Sequence, residues 1–222
     1  MGVMDNKTVL VISAHADDHV IGFGGTLAKY VAEGVRVITV VFTYGERSIP
    51  YLREDIVKQK VLKESKVADK VLGGSGVIFL GLKGGHFLDG FYDQKADETL
   101  EKIILKYSPS KIFTHSSDDT HPDHRAVHKL VLGMIDKLNY QNGFVTSLYG
   151  FGVWRLFRFN KRKRPHLVVD VTSTFNKKLK AISAFKSQRF HLSILRFGMY
   201  LSSLRKGLNH DSVFIEEFQK LR

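Results

Sequence analysis

The 222-residue sequence contains no cysteine. This absence excludes a disulfide framework and any metal site built on thiolate ligands. A metal bound by this chain must therefore be held by histidine, aspartate or glutamate side chains. A chain without cysteine also fits a reducing compartment, so we expect a cytoplasmic protein.

Long apolar runs are missing as well. The first apolar run, residues 9–13, is too short for the core of a signal peptide and continues directly into polar residues. No stretch approaches the roughly 18 apolar residues that a membrane-spanning helix requires. We expect a soluble protein whose only route to a membrane is a surface segment.

Acidic residues are scarce relative to basic ones. Lys and Arg number 34 against 22 Asp and Glu, which gives a net charge of +12 and a pI near 9.8. The excess predicts an anionic partner, such as nucleic acid, an acidic membrane or an acidic small substrate, although a purely solubilising charge is an equally good interpretation. Part of it is concentrated among aromatic side chains, at Arg155, Arg158, Lys161, Arg162, Lys163 and Arg164.

Short apolar runs alternate with longer amphipathic ones along the chain. The short runs predict strands at 8–13, 35–42, 77–80, 111–115, 145–151 and 167–171. The amphipathic segments predict helices at 24–33, 51–72, 96–107, 122–138 and 174–188. Because the strands are continuously apolar, we predict a mostly parallel sheet covered on both faces. The fold class is then α/β, a Rossmann-like three-layer sandwich formed by residues 1–222 as a single domain.

Polar residues cluster in two loops that each follow a predicted strand. One loop is Ala14–His19, after the first strand, and the other is Asp118–His124, after the fourth. Ligands of open parallel sheets bind at the carboxyl ends of strands, so the loops meet if these strands are neighbours. A mixed His and Asp set suits a catalytic Zn²⁺ with three protein ligands and one open position. Activated water beside a free carboxylate is typical of a hydrolase.

The two loops carry a resemblance to a known family. His15-Ala-Asp17-Asp18, followed by Gly24-Gly25, resembles the first signature of the PIG-L/LmbE-like N-acetylglucosaminyl deacetylases, His-Pro-Asp-Asp-Glu with Gly-Gly. His121-Pro-Asp-His124 resembles the second signature of that family. Either signature alone is weak, and the pair at two strand ends is specific. Weaker similarities extend over most of the chain, at Glu64, Ala68, Leu72-Gly73, Asp170, Lys177, Lys180–Ile182, Ser187-Gln188 and Phe214–Phe218.

The resemblance implies a zinc-dependent N-deacetylase, a hydrolase that removes the acetyl group from a sugar of the N-acetylglucosamine type. His15, Asp18 and His124 are implied as the ligands of Zn²⁺, or of another divalent metal such as Fe²⁺. The implied partner is a small N-acetylated sugar, free or linked to a nucleotide or a lipid.

The resemblance also implies catalytic roles. Asp17 would be the general base that takes a proton from the attacking water, and His121 would donate a hydrogen bond to the oxyanion. Asp123 would hold the His121 ring in position. Residues from about 150 to 222 would form substrate-side loops and helices. Candidate substrate contacts are His19, Arg53, Asp119 and Arg155.

The sequence departs from the family pattern at several positions. Ala16 replaces a proline, which should only loosen the turn, and His19 replaces a glutamate. That glutamate is not a ligand in the family pattern, so zinc binding is expected to survive, although His19 changes the local charge and could compete as a ligand. Phe185 replaces a histidine, and no acidic residue occurs in Gly81–Gly85. Both positions face the substrate in the family, which leaves the sugar open.

Other functions remain as alternatives. The bond cleaved could belong to another amide, such as a mycothiol-type or bacillithiol-type conjugate or diacetylchitobiose. A basic nucleic-acid-binding module is supported by charge and by the stretch Trp154–Arg164, but it leaves the His and Asp clusters unexplained, so we expect no nucleic-acid partner. Gly22–Gly25 lacks the spacing of a dinucleotide loop, so we expect no nucleotide cofactor. Family members often assemble, and a homo-oligomer is a further expectation.

One more helix is predicted from Phe190 onward. It carries an apolar stripe at helical spacing, with Arg196, Arg205 and Lys206 away from it. We favour packing of this stripe on its own domain, and the alternative is peripheral contact with an acidic membrane. The stripe consists of Ile194, Phe197, Leu201 and Leu204.

Overall fold

The computed structural model describes residues 8–46, 51–85, 87–154 and 166–222, which form one sheet with helices on both faces. The strands are β1 (Thr8–Ser13), β2 (Arg36–Val41), β3 (Val77–Phe79), β4 (Lys111–His115), β5 (Ser147–Phe151), β6 (His166–Asp170) and β7 (Ile215–Lys220). The helices are α1 (Asp18–Ala32), α2 (Glu54–Leu72), α3 (Phe87–Asp93), α4 (Ala96–Tyr107), α5 (Pro122–Asn142), α6 (Phe175–Ile182) and α7 (Arg189–Gly207). None of these helices combines the length and hydropathy needed to cross a bilayer.

The sheet has the strand order β3-β2-β1-β4-β5-β7-β6. Strands β1 to β5 pair in parallel, whereas β7 pairs antiparallel with both β5 and β6. In the centre, Val9 of β1 lies between Val37 of β2 and Lys111 of β4. The predicted α/β class, with a mostly parallel sheet between helical layers, is confirmed.

The central strand β1 supplies both faces of the core. All six of its residues are buried. Val9 and Val11 belong to one apolar cluster, while Leu10 and Ile12 belong to the cluster on the other face of the sheet. Alternate side chains of a strand point to opposite faces, so a strand covered by helices on both sides must be apolar throughout.

The sheet topology brings the two polar loops together. The chain passes from β1 outward to β2 and β3, then returns to place β4 on the other side of β1. The strand order therefore reverses between β1 and β4, and ligands of α/β sheets bind beside the carboxyl ends at such a point. A hydrogen bond of 2.9 Å, donated by the Ala14 amide to Nε2 of His115, joins the ends of the two strands directly.

Two helix boundaries differ from prediction by six residues each. Helix α1 was predicted to begin at Gly24 and begins at Asp18, so the second half of the first polar loop is already helical. An acidic residue in the first turn stabilises a helix N-terminus, which explains how Asp18 serves both the helix and the site. The helix predicted at 174–188 ends at Ile182 and is followed by a short 3₁₀ turn, Lys186–Gln188.

Two elements were not predicted. Helix α3 fills the segment between β3 and α4. Strand β7 was missed because four of its six residues are polar or charged. One of them, Glu216, is buried and accepts hydrogen bonds from the Gly25 amide (3.0 Å), the Thr26 amide (2.8 Å) and Lys178 Nζ (2.6 Å). These bonds fasten α1 and α6 to β7. Lys177 was among the weaker similarities to the family, and the neighbouring Lys178 is the residue of this pair that is buried.

Two glycines of α1 allow close packing against later parts of the sheet. A Cβ atom built on Gly22 would lie 2.4 Å from the Phe151 ring of β5. One built on Gly25 would lie 2.8 Å from Val171, just after β6. The glycines therefore let α1 approach the later strands of the sheet.

The apolar stripe of α7 does not pack as expected. Among the side chains of this helix that the structure describes, Leu195 and Met199 enter the apolar core, whereas Phe197 and Leu201 are 66% and 46% exposed. The prediction that these two side chains pack on their own domain is wrong. The side chain of Ile194 and the basic stretch at 155–164 lie outside the described residues.

Candidate metal centre and active site

Five side chains from the two polar loops form a continuous row, which we call the carboxylate–imidazole chain. Its order is Asp119, His124, Asp18, His15, Asp123. Asp18 occupies the centre: Oδ1 lies 3.2 Å from His124 Nε2, and Oδ2 lies 3.2 Å from His15 Nδ1. The outer carboxylates face the opposite ring nitrogens, at 3.0 Å from His124 Nδ1 for Asp119 and 3.2 Å from His15 Nε2 for Asp123.

Local structure explains how each loop presents its side chains. The His15 amide donates to Asp18 Oδ2 at 2.8 Å, which closes the turn between β1 and α1. His121 caps the N-terminus of α5, with Pro122 in the first helical position, where proline is favoured. The first turn of α5 then points Asp123 and His124 back toward β1.

The row is suited to a divalent cation. One ligand atom from each of His15, Asp18 and His124 lies within 4.8 Å of the others. His124 is fully buried, yet within the described part of the chain neither ring nitrogen makes a hydrogen bond of normal geometry, although carboxylate oxygens lie 3.0 and 3.2 Å away. Two imidazoles and a carboxylate are ligands that zinc and iron accept, and three ligands leave a position open for catalysis.

The pKa shifts of His15, His124 and Asp18 also indicate that this cluster favours a bound positive charge. Burial lowers the pKa of the His15 ring, but Asp18 and Asp123 outweigh it and raise this pKa to about 10. Burial also lowers the pKa of His124, but Asp18 and Asp119 outweigh this effect and raise the pKa to about 9. Burial favours neutral Asp18, but His124 and His15 hold its pKa well below the usual range. Three carboxylates around two imidazoles thus attract either protons or a metal ion.

Two neighbouring sets of side chains also converge. They are His15, His121 and Asp123 on the open side, and His115, Asp119 and His124 on the buried side. Each shares a histidine with the first set. The three sets are therefore parts of one cluster rather than three separate sites.

His121 is held in one tautomer. Its Nδ1 accepts a hydrogen bond of 3.2 Å from the Asp123 backbone amide, so the proton of the neutral ring sits on Nε2. Burial, followed by the charges of His124 and His15, lowers the pKa of His121, which keeps the ring neutral. The Asp123 carboxylate was expected to orient His121, but it faces His15 Nε2 and accepts from the Gly85 amide at 3.2 Å.

Asp17 is half-buried beside the row. It stands at the N-cap position of α1, but its carboxylate makes no capping hydrogen bond. Burial, and then the charge of Asp18, raises the pKa of Asp17 to about 6. A carboxylate with a pKa near neutrality is a good proton acceptor. A cation bound nearby would lower this pKa.

A cavity of about 310 Å³ opens onto the row. At the end next to the carboxylate–imidazole chain, the cavity is lined by His15, His121 and Asp123. The remaining wall is polar and comes from the ends of β2 and β3 and the start of α2, at Thr43, Gly45, Glu46, Glu54, Lys83 and Gly84. The volume and the polar lining suit a small hydrophilic molecule.

Comparison with known proteins identifies the family. A profile of the PIG-L family, described as GlcNAc-PI de-N-acetylase, matches residues 10–135, more than half of the chain. The chain belongs to the PIG-L family. The resemblance inferred from the two loops is thereby confirmed.

Curated relatives of this PIG-L chain act on acetylated sugar conjugates. It is 31% identical to 1D-myo-inositol 2-acetamido-2-deoxy-alpha-D-glucopyranoside deacetylase of Streptomyces scabiei, over 56% of this chain and 46% of that protein. It is 26% identical to the probable N-acetyl-alpha-D-glucosaminyl L-malate deacetylase 2 of Bacillus cereus, over 82% and 84% of the two chains. The chain spans about half the length of the first curated relatives that it matches.

Solved structures share the PIG-L fold. N,N′-diacetylchitobiose deacetylase from Pyrococcus horikoshii has a TM-score of 0.80 at 24% identity, covering 98% of this chain and 84% of its own. The 4-carboxy-2-hydroxymuconate hydratase GalB from Pseudomonas putida has a TM-score of 0.79 at 22% identity, covering 97% and 96%. Since a hydratase and a deacetylase share this architecture, the fold alone does not decide the reaction.

Some predicted substrate contacts of the PIG-L chain lie away from the cavity. The Arg53 side chain is 79% exposed and pairs with Asp55 at 3.1 Å. His19 is fully buried in α1, its two ring nitrogens have no hydrogen-bond partner in the described part of the chain, and burial lowers its pKa to about 4. Phe185 is buried in the core. Arg155 lies outside the described residues.

Asp119 was predicted to contact substrate, but its contacts in this PIG-L chain are with the protein. Its carboxylate accepts hydrogen bonds from the amides of His121 (3.0 Å), Val153 (2.9 Å) and Trp154 (3.2 Å), and it faces His124. Burial opposes ionisation, but these partners, His124 first, lower the pKa of Asp119 to about 2. The geometry is that of a carboxylate that positions a histidine.

His115 was missed by sequence reasoning. It is the last residue of β4, fully buried, with Nε2 3.3 Å from Asp18 Oδ2 and its ring stacked on His124 at 3.9 Å between centroids. Burial, and then the charge of His124, lowers its pKa to about 4. The available signal was its place at the end of the strand that leads into the second polar loop.

Proposed function

We propose that this chain is a metal-dependent hydrolase that removes the acetyl group from an N-acetylated sugar conjugate of the N-acetylglucosamine type. The observation that carries the proposal is the carboxylate–imidazole chain at the end of the cavity. The names of the curated relatives support a sugar conjugate as substrate. The supporting chemistry is the ligand set, which suits a hydrolytic metal.

In this proposal His15, Asp18 and His124 hold the cation, which is Zn²⁺ or another divalent metal such as Fe²⁺. When bound, such a cation supplies Lewis-acid chemistry: it polarises the amide carbonyl and makes water more acidic. Asp119 faces Nδ1 of His124, and Asp123 faces Nε2 of His15. A carboxylate in that place fixes the tautomer and the ring orientation of a ligand histidine.

The other side chains handle protons and charge. Asp17 accepts a proton from the attacking water and delivers it to the departing amine. His121 donates its Nε2 proton to the oxygen that becomes negative during attack, because its Nδ1 is already an acceptor for the Asp123 amide. The polar wall of the cavity, with Glu46, Glu54 and Lys83, holds the sugar hydroxyl groups and the group attached to the sugar.

Substitutions at two positions separate metal binding from chemistry. We expect Asp17→Asn to retain metal while the release of free amine from N-acetylglucosamine conjugates falls at least about 100-fold. We expect His124→Ala to lose the metal as well as activity. Metal analysis and amine release are measured on the same preparations. Asp93→Asn and His210→Ala, both exposed, are the matched controls.

The result that would refute the assignment is an Asp17→Asn variant with wild-type amine release. An enzyme whose activity survives complete removal of metal would refute the proposed cofactor.

The group attached to the sugar is tested with a panel of substrates. Inositol-linked, malate-linked, nucleotide-linked and lipid-linked N-acetylglucosamine, together with diacetylchitobiose, cover the neutral and anionic possibilities. Thiol conjugates of the mycothiol and bacillithiol type test the alternative amide reaction. Binding of random duplex DNA with a steep salt dependence, in the absence of any amine release, would favour a nucleic-acid-binding module instead.

A further inference from the structure

The net positive charge of the chain comes from one part of it. Residues 137–210 contain fifteen of the 34 Lys and Arg residues but only one of the 22 acidic residues, Asp170. The rest of the chain is close to neutral. Helix α7 lies within this basic part and contains no acidic residue at all.

Helix α7 has a second apolar face, which is turned toward solvent. Phe197, Leu201, Leu204 and Leu208 follow one another at spacings of four, three and four residues, which places them on one stripe of a helix. Leu208 ends the stripe with helical backbone angles, φ −58° and ψ −26°. Phe197 is 66%, Leu201 46% and Leu208 79% exposed, while Leu204 is half-buried. An isolated exposed leucine is ordinary, but a continuous stripe marks an interaction surface.

Basic side chains border the stripe on both sides. At about 100° per residue, Arg196 and Arg205 fall on opposite flanks of it, and both are exposed. Tyr200, 38% exposed, lies on the same face as the stripe, with its ring against Phe175 of α6. Lys180, on the neighbouring α6, is also exposed. Apolar centre, aromatic edge and cationic flanks are the features of a helix that lies in the headgroup region of a bilayer.

We propose that the solvent-facing stripe of α7, with its arginine flanks, is a docking surface for an acidic lipid membrane. The four apolar side chains enter the boundary between headgroups and acyl chains, and Arg196 and Arg205 bind lipid phosphates from either side. The opposite face of α7, with Leu195 and Met199, keeps the helix fixed to the domain.

Charge and apolar surface together favour lipid over the other anionic or apolar partners. Nucleic acid would pair with the arginines but leave the leucines and Phe197 in water. A second copy of the chain would cover the apolar stripe but bring the arginine flanks of both copies together, which is unfavourable. An acidic bilayer satisfies both parts of the surface.

Vesicle flotation tests the proposal. The purified protein is mixed with vesicles of phosphatidylcholine alone, or of phosphatidylcholine with about one third phosphatidylglycerol. We expect at least about tenfold stronger partitioning to the acidic vesicles, reduced by added salt. Phe197→Ser/Leu201→Ser should weaken partitioning about tenfold or more, because the change removes apolar area without changing charge. Arg196→Gln/Arg205→Gln should weaken binding to acidic vesicles only.

Matched controls carry the same changes elsewhere on the surface. Tyr140→Ser/Val145→Ser alters two side chains that are 91% and 82% exposed, and Lys66→Gln/Lys102→Gln removes two exposed positive charges. Both should bind as the wild type does. Equal partitioning to neutral and acidic vesicles, or unchanged binding of Phe197→Ser/Leu201→Ser, would overturn the proposal. So would a fall in molar mass of that variant in light scattering, because the stripe would then be a contact between copies.

Discussion

At the scale of single residues, the site is organised by carboxylates that act on histidines. Asp18 lies between two imidazoles, and each imidazole meets a further carboxylate on its other nitrogen. A ligand histidine with such a partner keeps one tautomer and one ring orientation, which increases its affinity for metal. Asp119 is the better test of this role, because it is fully enclosed by protein groups.

We expect Asp119→Asn to lower metal affinity about 10–100-fold. The asparagine oxygen still accepts from the Val153 and Trp154 amides, but the negative charge opposite His124 Nδ1 is lost. Affinity is measured by competition with a chelator, and a thermal melt of the metal-free protein checks the fold. Asp118→Asn, in the same loop, is the control. An unchanged affinity, or a melt lowered as much as the affinity, would argue against a positioning role.

Asp69 provides a prediction about stability. It is buried in α2, its Oδ1 has no hydrogen-bond partner among the residues that the structure describes, and burial raises its pKa from 3.8 to about 6. The raised pKa means that the folded state prefers the protonated form. The cost of ionisation is therefore absent below pH 3.8, grows as the pH rises, and is complete above pH 6 or so.

We expect Asp69→Asn to stabilise the protein by about 1–3 kcal/mol near neutral pH, with a gain that shrinks toward acid pH. Urea unfolding at a series of values from about pH 7.5 to about pH 4.5 measures the difference. Asp93→Asn, at an exposed position, controls for the removal of a negative charge. A gain that is constant with pH would show that the ionisation of Asp69 is not its origin.

The sequence predicted that His15, Asp18 and His124 lie close together, and the structure brings them together. His15 and Asp18 lie just after β1, His124 lies at the end of the loop after β4, and the rule for parallel sheets brings such positions together. His115 was missed because it belongs to neither family signature, and its place at the end of β4 was the available signal. The role of Asp119 could not be read either, since it depends on the Val153 and Trp154 amides, which are distant in sequence.

At the scale of elements, the position of α1 depends on a buried ion pair. Lys178 Nζ lies 2.6 Å from Glu216 Oε1, and both side chains are nearly inaccessible. Glu216 also accepts from the Gly25 and Thr26 amides, so α6, β7 and α1 meet at one carboxylate. No sequence pattern predicted this contact, because β7 is polar and its partners come from distant segments. The alternation of strands and helices that precedes β7 could be predicted because those elements bury continuous apolar runs.

We expect Glu216→Gln to destabilise the fold by about 3–5 kcal/mol, since it leaves the Lys178 ammonium buried without a counter-charge. The double variant Lys178→Met/Glu216→Gln should lose less than the sum of the two single changes. Urea unfolding measures the double-mutant cycle. Lys102→Met, at an exposed pair with Glu98, is the control and should change little. Additive effects of the two single substitutions would mean that the pair is not coupled.

At the scale of the whole molecule, the cavity lining and the excess of basic residues come from different parts of the chain. The described lining of the cavity comes entirely from residues before 124, whereas the basic excess lies in residues 137–210. The prediction that residues from about 150 to 222 form the substrate side therefore stays a prediction, as do the single-domain organisation, the cytoplasmic location and the homo-oligomer. Basic charge and the active site are separate features, and the former serves the membrane surface that we propose on α7.

The proposed metal links loops that are about a hundred residues apart in the chain and follow neighbouring strands, so its binding should stabilise the whole fold. At a free metal concentration of about 100 times the dissociation constant the gain is about 2.7 kcal/mol. For a chain of this size that raises the melting temperature by roughly 5–10 °C. Differential scanning fluorimetry, with Zn²⁺ or Fe²⁺ added to chelator-treated protein, measures the shift. His124→Ala should abolish it and His210→Ala should retain it, because His210 lies on the surface beside Glu217. An equal shift in the two variants would place the metal outside the carboxylate–imidazole chain.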